Sequence, residues 1–474
     1  MSEIDSQTAM DRADTGALEI AYVREQMEHP RPAPASEVGV MGWMRKNLFD
    51  GWFNTALTLI AIWLLYLILP GIIQFNFIDA VWTSIVDGEN IERRACATIA
   101  QGGIQPDGWH GACWPYIGAY FKQFVFGRYP DELLWRPIAV FVLFFAGLIP
   151  MAIPSVPFKR ENIIYMTLVF PVAAFILLTG GNLDYNGFLL PDSMIGEGFT
   201  KFWIDYIILT AIVCGIAWVL ARSTDSNPKG PVLTALAIMA GLAVILLLTM
   251  VDFGLRYVET SQWGGFLMTL VIAVTGIAAS LPLGIVLALG RRSQMPIVRL
   301  LSVIFIEFWR GVPLITVLFM SSVLLPLFLP DGVSFDKLLR ALIGVALFSA
   351  AYMAEVVRGG LQAIPKGQYE GAMALGLSYW QMTQKIILPQ ALKIVIPGIV
   401  NTFIGLFKDT TLVSIIGLLD FLGMINSSHS DSSWATPVQA ITSYIFCAAV
   451  FWVFCYAMAR YSNYMERRLD TGHR

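Results

Sequence analysis

The 474-residue chain is 56% hydrophobic and 14% charged, and its mean hydropathy is +0.65. These values exclude an ordinary soluble globular domain and predict an all-α protein that crosses a membrane many times. The formal net charge of −3 is less informative than the positions of the charges along the chain.

The first segment, residues 1–50, is predicted to be a disordered cytoplasmic tail, and a docking arm is the alternative interpretation. Acidic side chains are spread through residues 1–40, and no apolar stretch of the kind that a secretory signal peptide needs occurs there. The segment also contains the proline-rich run from His29 to Pro34.

Ten apolar runs follow, each near the length of about 20 residues that an α-helix needs to cross a bilayer. They are predicted at 53–73, 136–156, 162–180, 203–221, 231–251, 264–290, 302–329, 338–357, 391–416 and 437–459. Glu307, Arg310 and Pro313 interrupt the seventh run, and a cytoplasmic or interfacial helix is the alternative for its first turns.

The charges between these runs orient the chain. The basic connections contain Lys159, Arg160, Arg222, Lys229, Arg291, Arg292, Arg299, Arg358, Lys366, Arg460, Arg467 and Arg468. The alternate connections contain the acidic residues Asp184, Asp192, Glu197, Asp331, Asp420 and Asp431. Because basic connections remain in the cytoplasm, both termini are predicted to be cytoplasmic, in a bacterial inner membrane.

A long polar loop at 74–133 separates the first two predicted spans and contains Cys96 and Cys113. If this loop lies outside the cytoplasm, we expect the two cysteines to form a disulfide bond, because such bonds persist in oxidising compartments. A structural zinc site would need four ligands, and only His110 lies nearby, so no metal site is predicted.

The distribution of motifs divides the chain near residue 255. Residues 51–255 hold five predicted spans and the polar loop, without a motif that indicates a chemical role. Residues 256–474 hold the other five spans and the specific motifs described below. No repeat relates the two halves, which disfavours a secondary transporter built from inverted repeats.

The polar stretch 365–389, which we call the elbow, is predicted to form two short helices joined by a sharp turn. The first helix should run from about Gln368 to Leu375 and end at Gly376, since glycine readily adopts the left-handed conformation that closes a helix. A segment of this kind between membrane spans is expected to face a soluble partner. A surface-lying or re-entrant connector without a partner is the alternative.

The second helix of the elbow has a predicted start and a predicted end. Ser378 and Gln381 fit a capping box, in which each side chain accepts a hydrogen bond from a free backbone amide at the helix start. The helix should end at Leu388, because Pro389 disfavours the helical conformation of the residue before it.

The elbow resembles the EAA loop of ABC-importer permeases, whose pattern of fixed spacing ends in Ile-x-Leu-Pro. The matching residues are Glu370, Ala372, Gly376, Ile386, Leu388 and Pro389, and Gly371 stands where the family usually has its first alanine. In that family the loop is a coupling helix that docks into a cleft of the cytoplasmic ATPase subunit. The resemblance therefore implies that these residues and the adjacent Leu377 couple the chain to a separate ATPase.

Three further strings resemble the histidine/glutamine branch of the polar-amino-acid ABC permeases. They are Glu307–Leu314, Ala354–Gly360 and Phe407–Leu412. The resemblance covers nearly all of 256–474 and implies a type I ABC importer permease core in that half. The size of the chain, its division near residue 255 and the cysteine-containing loop most resemble the large, M-type permease subunit of general L-amino-acid transporters.

Two pairs of opposite charge occur at a spacing of three residues, Glu307 with Arg310 and Glu355 with Arg358. Side chains at this spacing share one face of a helix, and pairing lowers the cost of placing charges at a membrane boundary. Each pair is therefore interpreted as a structural ion pair that holds helix ends together.

Lys408 and Asp409 lie inside the ninth predicted span. Two interpretations are equally open, namely contact with substrate or a gate, and mutual neutralisation. Asn401 and Gly405 are expected to allow a local break in this helix, whose free backbone groups would suit a zwitterion. With Thr410, these residues make up the candidate translocation path.

The sequence contains no phosphate-binding loop, no H-E-x-x-H zinc motif and no G-x-S-x-G nucleophile motif. The chain is therefore expected not to be an enzyme and to bind no cofactor, with ATP and Mg²⁺ held by a partner. The resemblance implies four partners: a second, non-identical permease subunit, a cytoplasmic ABC ATPase dimer, a periplasmic amino-acid-binding protein and membrane lipid, but no nucleic acid. The implied activity is the import of L-amino acids.

Two competing functions remain open at this point. An ion-coupled secondary transporter or channel would work without an ATPase, and it would need coupling carboxylates deep in several spans. A membrane enzyme would need a catalytic group of residues facing one interface, and no such group is recognised.

Overall fold

The computed structural model describes residues 39–86, 88–183, 198–223, 229–328 and 335–469. Most of the predicted tail lies outside these residues. Four acidic residues of the connections between predicted spans also lie outside them, namely Asp184, Asp192, Glu197 and Asp331. The chain divides into two compact units, Met1–Ile78 and Asp79–Arg474.

The described part of the first unit contains two helices, α1 (Gly39–Asn47) and α2 (Gly51–Ile73). A π-type turn, Gln74–Ile78, extends α2. α2 has 23 residues, is apolar on every face, and none of its residues is buried within the chain. At about 1.5 Å per residue this length is sufficient to cross the hydrocarbon core of a bilayer.

The second unit begins with the polar segment of the predicted loop, which is compact rather than extended. Strands β1 (Ile85–Val86) and β2 (Glu89–Asn90) pair antiparallel. Two 3₁₀ turns follow, and then helix α3 (Trp114–Phe126); the turns are Glu92–Cys96 and Ile99–Gln101. Cys96 and Cys113 form a disulfide bond, as expected from the sequence.

All remaining helices belong to the second unit. In chain order they are α4 (Trp135–Ala152), α5 (Lys159–Ile164), α6 (Phe170–Thr179), α7 (Phe199–Ser223), α8 (Lys229–Met250), α9 (Gly265–Arg291), α10 (Pro296–Gly311), α11 (Leu314–Phe319), α12 (Lys337–Ala363), α13 (Lys366–Ala374), α14 (Tyr379–Met382), α15 (Leu388–Ile394), α16 (Ile396–Asp409), α17 (Phe421–Ser428) and α18 (Gln439–Leu469). The π-type turns are Tyr165–Val169, Met320–Leu324 and Thr383–Ile387. Further 3₁₀ turns are Asp131–Leu133, Thr260–Gln262, Leu325–Phe328 and Thr410–Ile416.

Within the described residues, nine helical segments are long and apolar enough to cross a membrane, and a bent pair of helices is a tenth candidate. The nine segments are Gly51–Ile78, Asp131–Ala152, Lys159–Thr179, Phe199–Val219, Lys229–Met250, Gly265–Arg291, Lys337–Ala363, Ile396–Ile416 and Gln439–Leu469. They coincide with nine of the ten predicted runs. The prediction of an all-α fold with many membrane helices is confirmed.

The bent pair replaces the seventh predicted span, 302–329, which is therefore not one straight helix. α10 meets the segment Leu314–Phe328 at an angle of 103°. Pro313 explains the bend, because a proline restricts the residue before it to extended backbone, and Val312 has φ −104° and ψ 133°. α10 carries an exposed apolar stripe along its length, which consists of Ile297, Leu300, Leu301, Ile304 and Phe308.

The division of motifs near residue 255 is not a boundary between compact units, because α3 packs closely against the start of α9. Gly127 and Gly264 lie so close together that a Cβ on Gly127 would be 2.4 Å from the Cα of Gly264. Gly265 has φ +64°, and a Cβ there would be 2.2 Å from the carbonyl oxygen of Phe124. Residues on both sides of position 255 therefore form one packed unit.

Candidate functional site

The first helix of the elbow ends at Gly376, as predicted. Gly376 has φ +70°, in the left-handed region. Its N–H donates to the carbonyl of Met373 at 2.9 Å, and the N–H of Leu377 donates to the carbonyl of Ala372 at 3.3 Å. These two bonds define a Schellman motif, which satisfies carbonyl groups that the end of a helix leaves free. These backbone hydrogen bonds determine the direction in which the chain leaves the first helix.

The second helix of the elbow starts with the predicted capping box. The Ser378 hydroxyl accepts a hydrogen bond from the Gln381 N–H at 3.4 Å, and the Gln381 side chain accepts one from the Ser378 N–H at 3.1 Å. Both bonds satisfy amides that would otherwise lack a partner. The two helices of the elbow are thus joined by a short connection that is stabilised by hydrogen bonds on both sides.

The predicted end of this helix at Leu388 is wrong. Leu388 is helical (φ −63°, ψ −43°), and its N–H donates to the carbonyl of Thr383 through a π-type turn. The wider turn precedes Pro389, which lies in the first turn of α15. A proline is tolerated there because its missing N–H would not have been needed. The second half of the elbow therefore continues directly into α15.

The elbow is anchored on the ends of α9 and α12. Ala372 and Ile387 are buried in an apolar cluster that includes side chains of α9 and α12. Arg292, just beyond α9, donates to the carbonyl of Leu361 at 2.9 Å and to the Tyr369 hydroxyl at 3.0 Å. Apolar burial and hydrogen bonds therefore both hold the elbow against the helices that precede it.

Four large apolar side chains of the elbow are exposed. Met373, Leu375, Tyr379 and Trp380 have exposed fractions of 59%, 77%, 51% and 60%. We call these four residues the elbow face. They lie on both sides of the turn at Gly376. An exposed apolar patch on a rigidly held segment is typical of a protein-binding surface.

The eight residues of the predicted coupling motif divide into two groups in the structure. Four of them are exposed, namely Glu370, Gly371, Gly376 and Pro389. The other four are buried or half-buried against α9 and α12, namely Ala372, Leu377, Ile386 and Leu388. The motif thus anchors and shapes the elbow, while the large apolar side chains of the elbow face were not recognised from the spacing.

The charged residues at the ends of α9, α10 and α12 form one cluster rather than two separate pairs. Glu355 pairs with Arg358 at 2.6 Å, with Arg291 at 2.9 Å and with Arg310 at 3.7 Å. Glu307 pairs with Arg291 at 2.8 Å. We call these five residues the charge cluster.

The predicted pair of Glu355 with Arg358 is formed, but the predicted pair of Glu307 with Arg310 is not among the described ion pairs. Packing of α9 and α12 beside α10 gives each of the two residues another partner. Sequence spacing identifies neighbours within one helix and cannot identify a nearer partner on another helix.

The predicted break in the ninth span is absent, because α16 continues through Asn401 and Gly405 without interruption. A glycine inside a helix costs only about 1 kcal/mol relative to alanine, which is too little to interrupt a packed helix. The backbone changes at Thr410 instead, where a 3₁₀ turn begins. The prediction that free backbone groups occur near Gly405 is therefore wrong.

The charged residues of this candidate path are separated rather than paired. Lys408 is exposed, Asp409 is half-buried and Thr410 is buried. Within the described part of the chain, no direct ion pair joins Lys408 to Asp409. Adjacent helical residues point about 100° apart, which explains why their side chains do not form a direct ion pair.

Comparison with known proteins places the chain among membrane transporters. The family described as "Binding-protein-dependent transport system inner membrane component" matches residues 280–471. The chain is 42% identical over 443 residues to the inner membrane amino-acid ABC transporter permease protein YhdY of Escherichia coli, covering 94% of this chain and 96% of that protein. It is 45% identical over 460 residues to the glutamate/glutamine/aspartate/asparagine transport system permease protein BztC of Rhodobacter capsulatus, covering 96% and 99%. The chain belongs to the amino-acid ABC transporter permeases.

Members of this family are membrane components of transporters, and this permease is accordingly an inner-membrane protein with many membrane helices. A shorter relative, the probable amino-acid ABC transporter permease protein YckA of Bacillus subtilis, is 34% identical over 200 residues, which is 42% of this chain and 85% of that protein. Among the described residues, no group of three or more His, Cys, Asp or Glu side chains could hold a metal ion.

The end of the permease core remote from the elbow carries polar contacts that the sequence did not reveal. Helix α3 of the polar loop packs on α17, and the hydroxyl of Tyr116 bonds to that of Ser428. The hydroxyl of Tyr120 donates to the carboxylate of Asp431. Burial raises the pKa of Tyr120 to about 12, and the bond from Tyr120 lowers the pKa of Asp431. The phenol thus stays neutral and the carboxylate ionised at neutral pH.

Asp420 fixes the start of α17 at this end of the permease. It is fully buried. Its carboxylate accepts hydrogen bonds from the N–H groups of Leu422 at 3.2 Å and Gly423 at 3.0 Å. Burial nevertheless raises the pKa of Asp420 to about 6, because the charged form loses its hydration. The ionised carboxylate therefore destabilises the folded permease relative to the protonated one.

We expect Asp420→Asn to remove a pH dependence of stability. The ordinary carboxyl pKa is 3.8, so a folded pKa of about 6 makes the wild type lose stability as pH rises from about 4 to about 6. Between pH 5 and pH 7.5 this loss should amount to about 1.5 kcal/mol. Asparagine keeps one capping acceptor but does not ionise. Apparent melting temperatures in detergent at both pH values test this expectation.

The control for this prediction is Asp420→Ala, which removes both capping acceptors. It should lower stability at both pH values by about 1–2 kcal/mol relative to asparagine. If wild type and Asp420→Asn lose the same amount of stability between pH 5 and pH 7.5, then Asp420 does not titrate in this range.

Proposed function

We propose that this permease is a subunit of an ATP-driven importer that moves L-amino acids from the periplasm into the cytoplasm. It is coupled through the elbow to a separate ATPase, which holds ATP and Mg²⁺. The observation that supports coupling is the elbow face, four exposed apolar side chains on a segment anchored against α9 and α12. The names of the relatives support amino acids as the substrate class.

In this proposal the elbow and both termini lie in the cytoplasm. The basic residues Arg291, Arg292 and Arg358 at the elbow end of the core support this orientation, because basic connections remain on the cytoplasmic side. A periplasmic amino-acid-binding protein delivers substrate at the opposite end, where α3 and α17 lie. A second, non-identical permease subunit completes the pathway, and the ATPase acts as a dimer.

The candidate path for the amino acid includes Lys408 and Asp409 on α16, with Thr410 next to them and Asn401 and Gly405 earlier in the helix. Lys408 and Asp409 provide the opposite charges that would recognise the carboxylate and ammonium groups of a zwitterion. The absence of a direct ion pair between them among the described residues supports this role. The resemblance to M-type permeases implies that the transporter is of the general L-amino-acid type.

The test is to purify the tagged chain from its native membrane in mild detergent and identify the copurifying proteins by mass spectrometry. We expect an ABC ATPase and a second, smaller permease. Recovery of the chain alone, or as a homodimer without an ATPase, would contradict the proposal. An ion-coupled secondary transporter would then be the better explanation.

A substitution in the elbow face tests whether this surface is the one that binds the ATPase. Leu375→Glu places a charge at the most exposed apolar residue of the elbow, and we expect the ATPase to be lost while the second permease is retained. Tyr464→Glu, at an exposed aromatic residue near the end of α18, is the matched control and should retain both. Equal ATPase recovery in the two variants would show that the elbow face is not the contact.

A further inference from the structure

Glu355 is the centre of the charge cluster. Arg291 at the end of α9, Arg310 at the end of α10 and Arg358 in α12 all lie within 3.7 Å of its carboxylate. The side chain of Glu355 is 16% exposed, whereas that of Glu307, whose described ion pair is with Arg291, is 53% exposed. Ion pairs are stronger where water is excluded, so the arrangement of the cluster depends mainly on Glu355.

The elbow is attached to the same helix ends. The Arg292 guanidinium lies 5.6 Å from the centre of the Tyr369 ring, in addition to its hydrogen bonds to the elbow and to α12. Gly360 of α12 lies against the backbone of α15, and a Cβ there would be 2.6 Å from the carbonyl oxygen of Ala391. A displacement of the elbow therefore acts directly on α12, close to Glu355.

The charge cluster is also connected to the candidate path by packing. α9 and α12 are in close contact, because a Cβ on Gly284 would lie 2.7 Å from the side chain of Met353. Nearer the start of α9, a Cβ on Gly276 would lie 2.9 Å from Leu406 of α16. Closely packed helices transmit strain because a core has little compressibility. Contacts thus run from the elbow through α12 and α9 to the helix that carries Lys408 and Asp409.

We propose that Glu355 is a positioning residue that transmits movement of the elbow to the translocation path. The inference rests on the proposed function, since it requires an ATPase that moves the elbow. Glu355 holds the ends of α9 and α10 to α12 through Arg291 and Arg310, so the three helix ends move together. Without its charge, Arg310 and Arg358 lose the carboxylate of their described ion pairs, whereas Arg291 keeps Glu307. The ends of α9 and α10 are then held less firmly to α12 when the elbow moves.

The test reconstitutes the complete transporter in liposomes and measures amino-acid uptake and ATP hydrolysis in the same vesicles. For Glu355→Gln we expect ATP hydrolysis to continue while the amount of amino acid transported per ATP falls about tenfold. Glu307→Gln, which removes one contact of an exposed residue, should lower the ratio less. Glu466→Gln, at an exposed glutamate of α18 outside the charge cluster, is the control and should keep the wild-type ratio.

The amount of amino acid transported per ATP distinguishes a positioning role of Glu355 from a merely structural one. A structural role would lower the yield or both rates together and leave the transported amount per ATP unchanged, and that result would overturn the inference. If Glu355→Gln does not fold, Glu355→Asp keeps the charge with a shorter reach, and an unchanged ratio in that variant would also overturn it. Uptake by the wild type without any ATP hydrolysis would instead contradict the proposed function itself.

Discussion

Replacing Gly376 by valine is expected to uncouple the proposed ATPase partner from the permease while the membrane helices stay folded. Gly376 adopts φ +70°, and no atom lies within 4 Å of the place that a Cβ would take, so the obstacle is backbone strain rather than a clash. A β-branched residue at this φ costs about 1–3 kcal/mol. That strain should open the Schellman motif and turn the elbow face away from the ATPase proposed to bind it. Stimulated ATPase activity should fall about tenfold to a hundredfold.

The matched control for this prediction is Gly371→Ala, five residues earlier on α13. This glycine also has open space around it, but it lies inside the helix. Alanine is favoured there by about 1 kcal/mol, so coupling should be unchanged. Both variants should have the melting temperature of the wild type to within a few degrees. Wild-type ATPase stimulation in Gly376→Val would show that the geometry of the turn is not needed for coupling.

Replacing Gly265 by alanine is expected to cause the largest loss of stability of any single substitution proposed for this permease. Its backbone has φ +64°, and the added Cβ would lie 2.2 Å from the carbonyl oxygen of Phe124. The neighbouring atoms are backbone atoms of α3, which cannot rotate away. The start of α9 and α3 must therefore separate, at a cost of about 3 kcal/mol or more. A thermal melt in detergent measures the effect.

Gly118→Ala provides the control within the same helix pair. Gly118 lies on α3 with no atom within 4 Å of an added Cβ, and helical alanine is preferred to glycine. Its stability should equal or slightly exceed that of the wild type. If Gly265→Ala melts at the wild-type temperature, then the contact between α3 and α9 contributes little to the stability of the permease.

Local features of the elbow were predictable because each depends on residues that are close in sequence. The Schellman turn requires a glycine at one position, and the capping box requires Ser378 and Gln381 three residues apart. The end of the second helix was mispredicted at Leu388. Pro389 disfavours a helix locally, but the π-type turn before it and the burial of Ile387 against α12 allow the helix to continue.

The contacts of the candidate site could not be predicted from the sequence where a residue has partners on several helices. Glu307 and Arg310 have the spacing of a pair, yet their nearest partners are Arg291 of α9 and Glu355 of α12. The contact of α3 with α17 is a second example. Tyr116 bonds to Ser428, more than 300 residues along the chain, and no local pattern indicates such a pair.

By itself, the sequence of this permease indicated the positions of the nine long apolar helices among the described residues, the position of the elbow and the family to which the chain is related. Hydrophobicity, turn preference and motif spacing are properties of short stretches of chain, and they depend little on residues that are distant in sequence. Tertiary structure alone decided that Glu355 pairs with three arginines and that α3 packs against α9 and α17. These features depend on which helices pack together, because partners separated in sequence compete to satisfy each buried charge and each apolar surface.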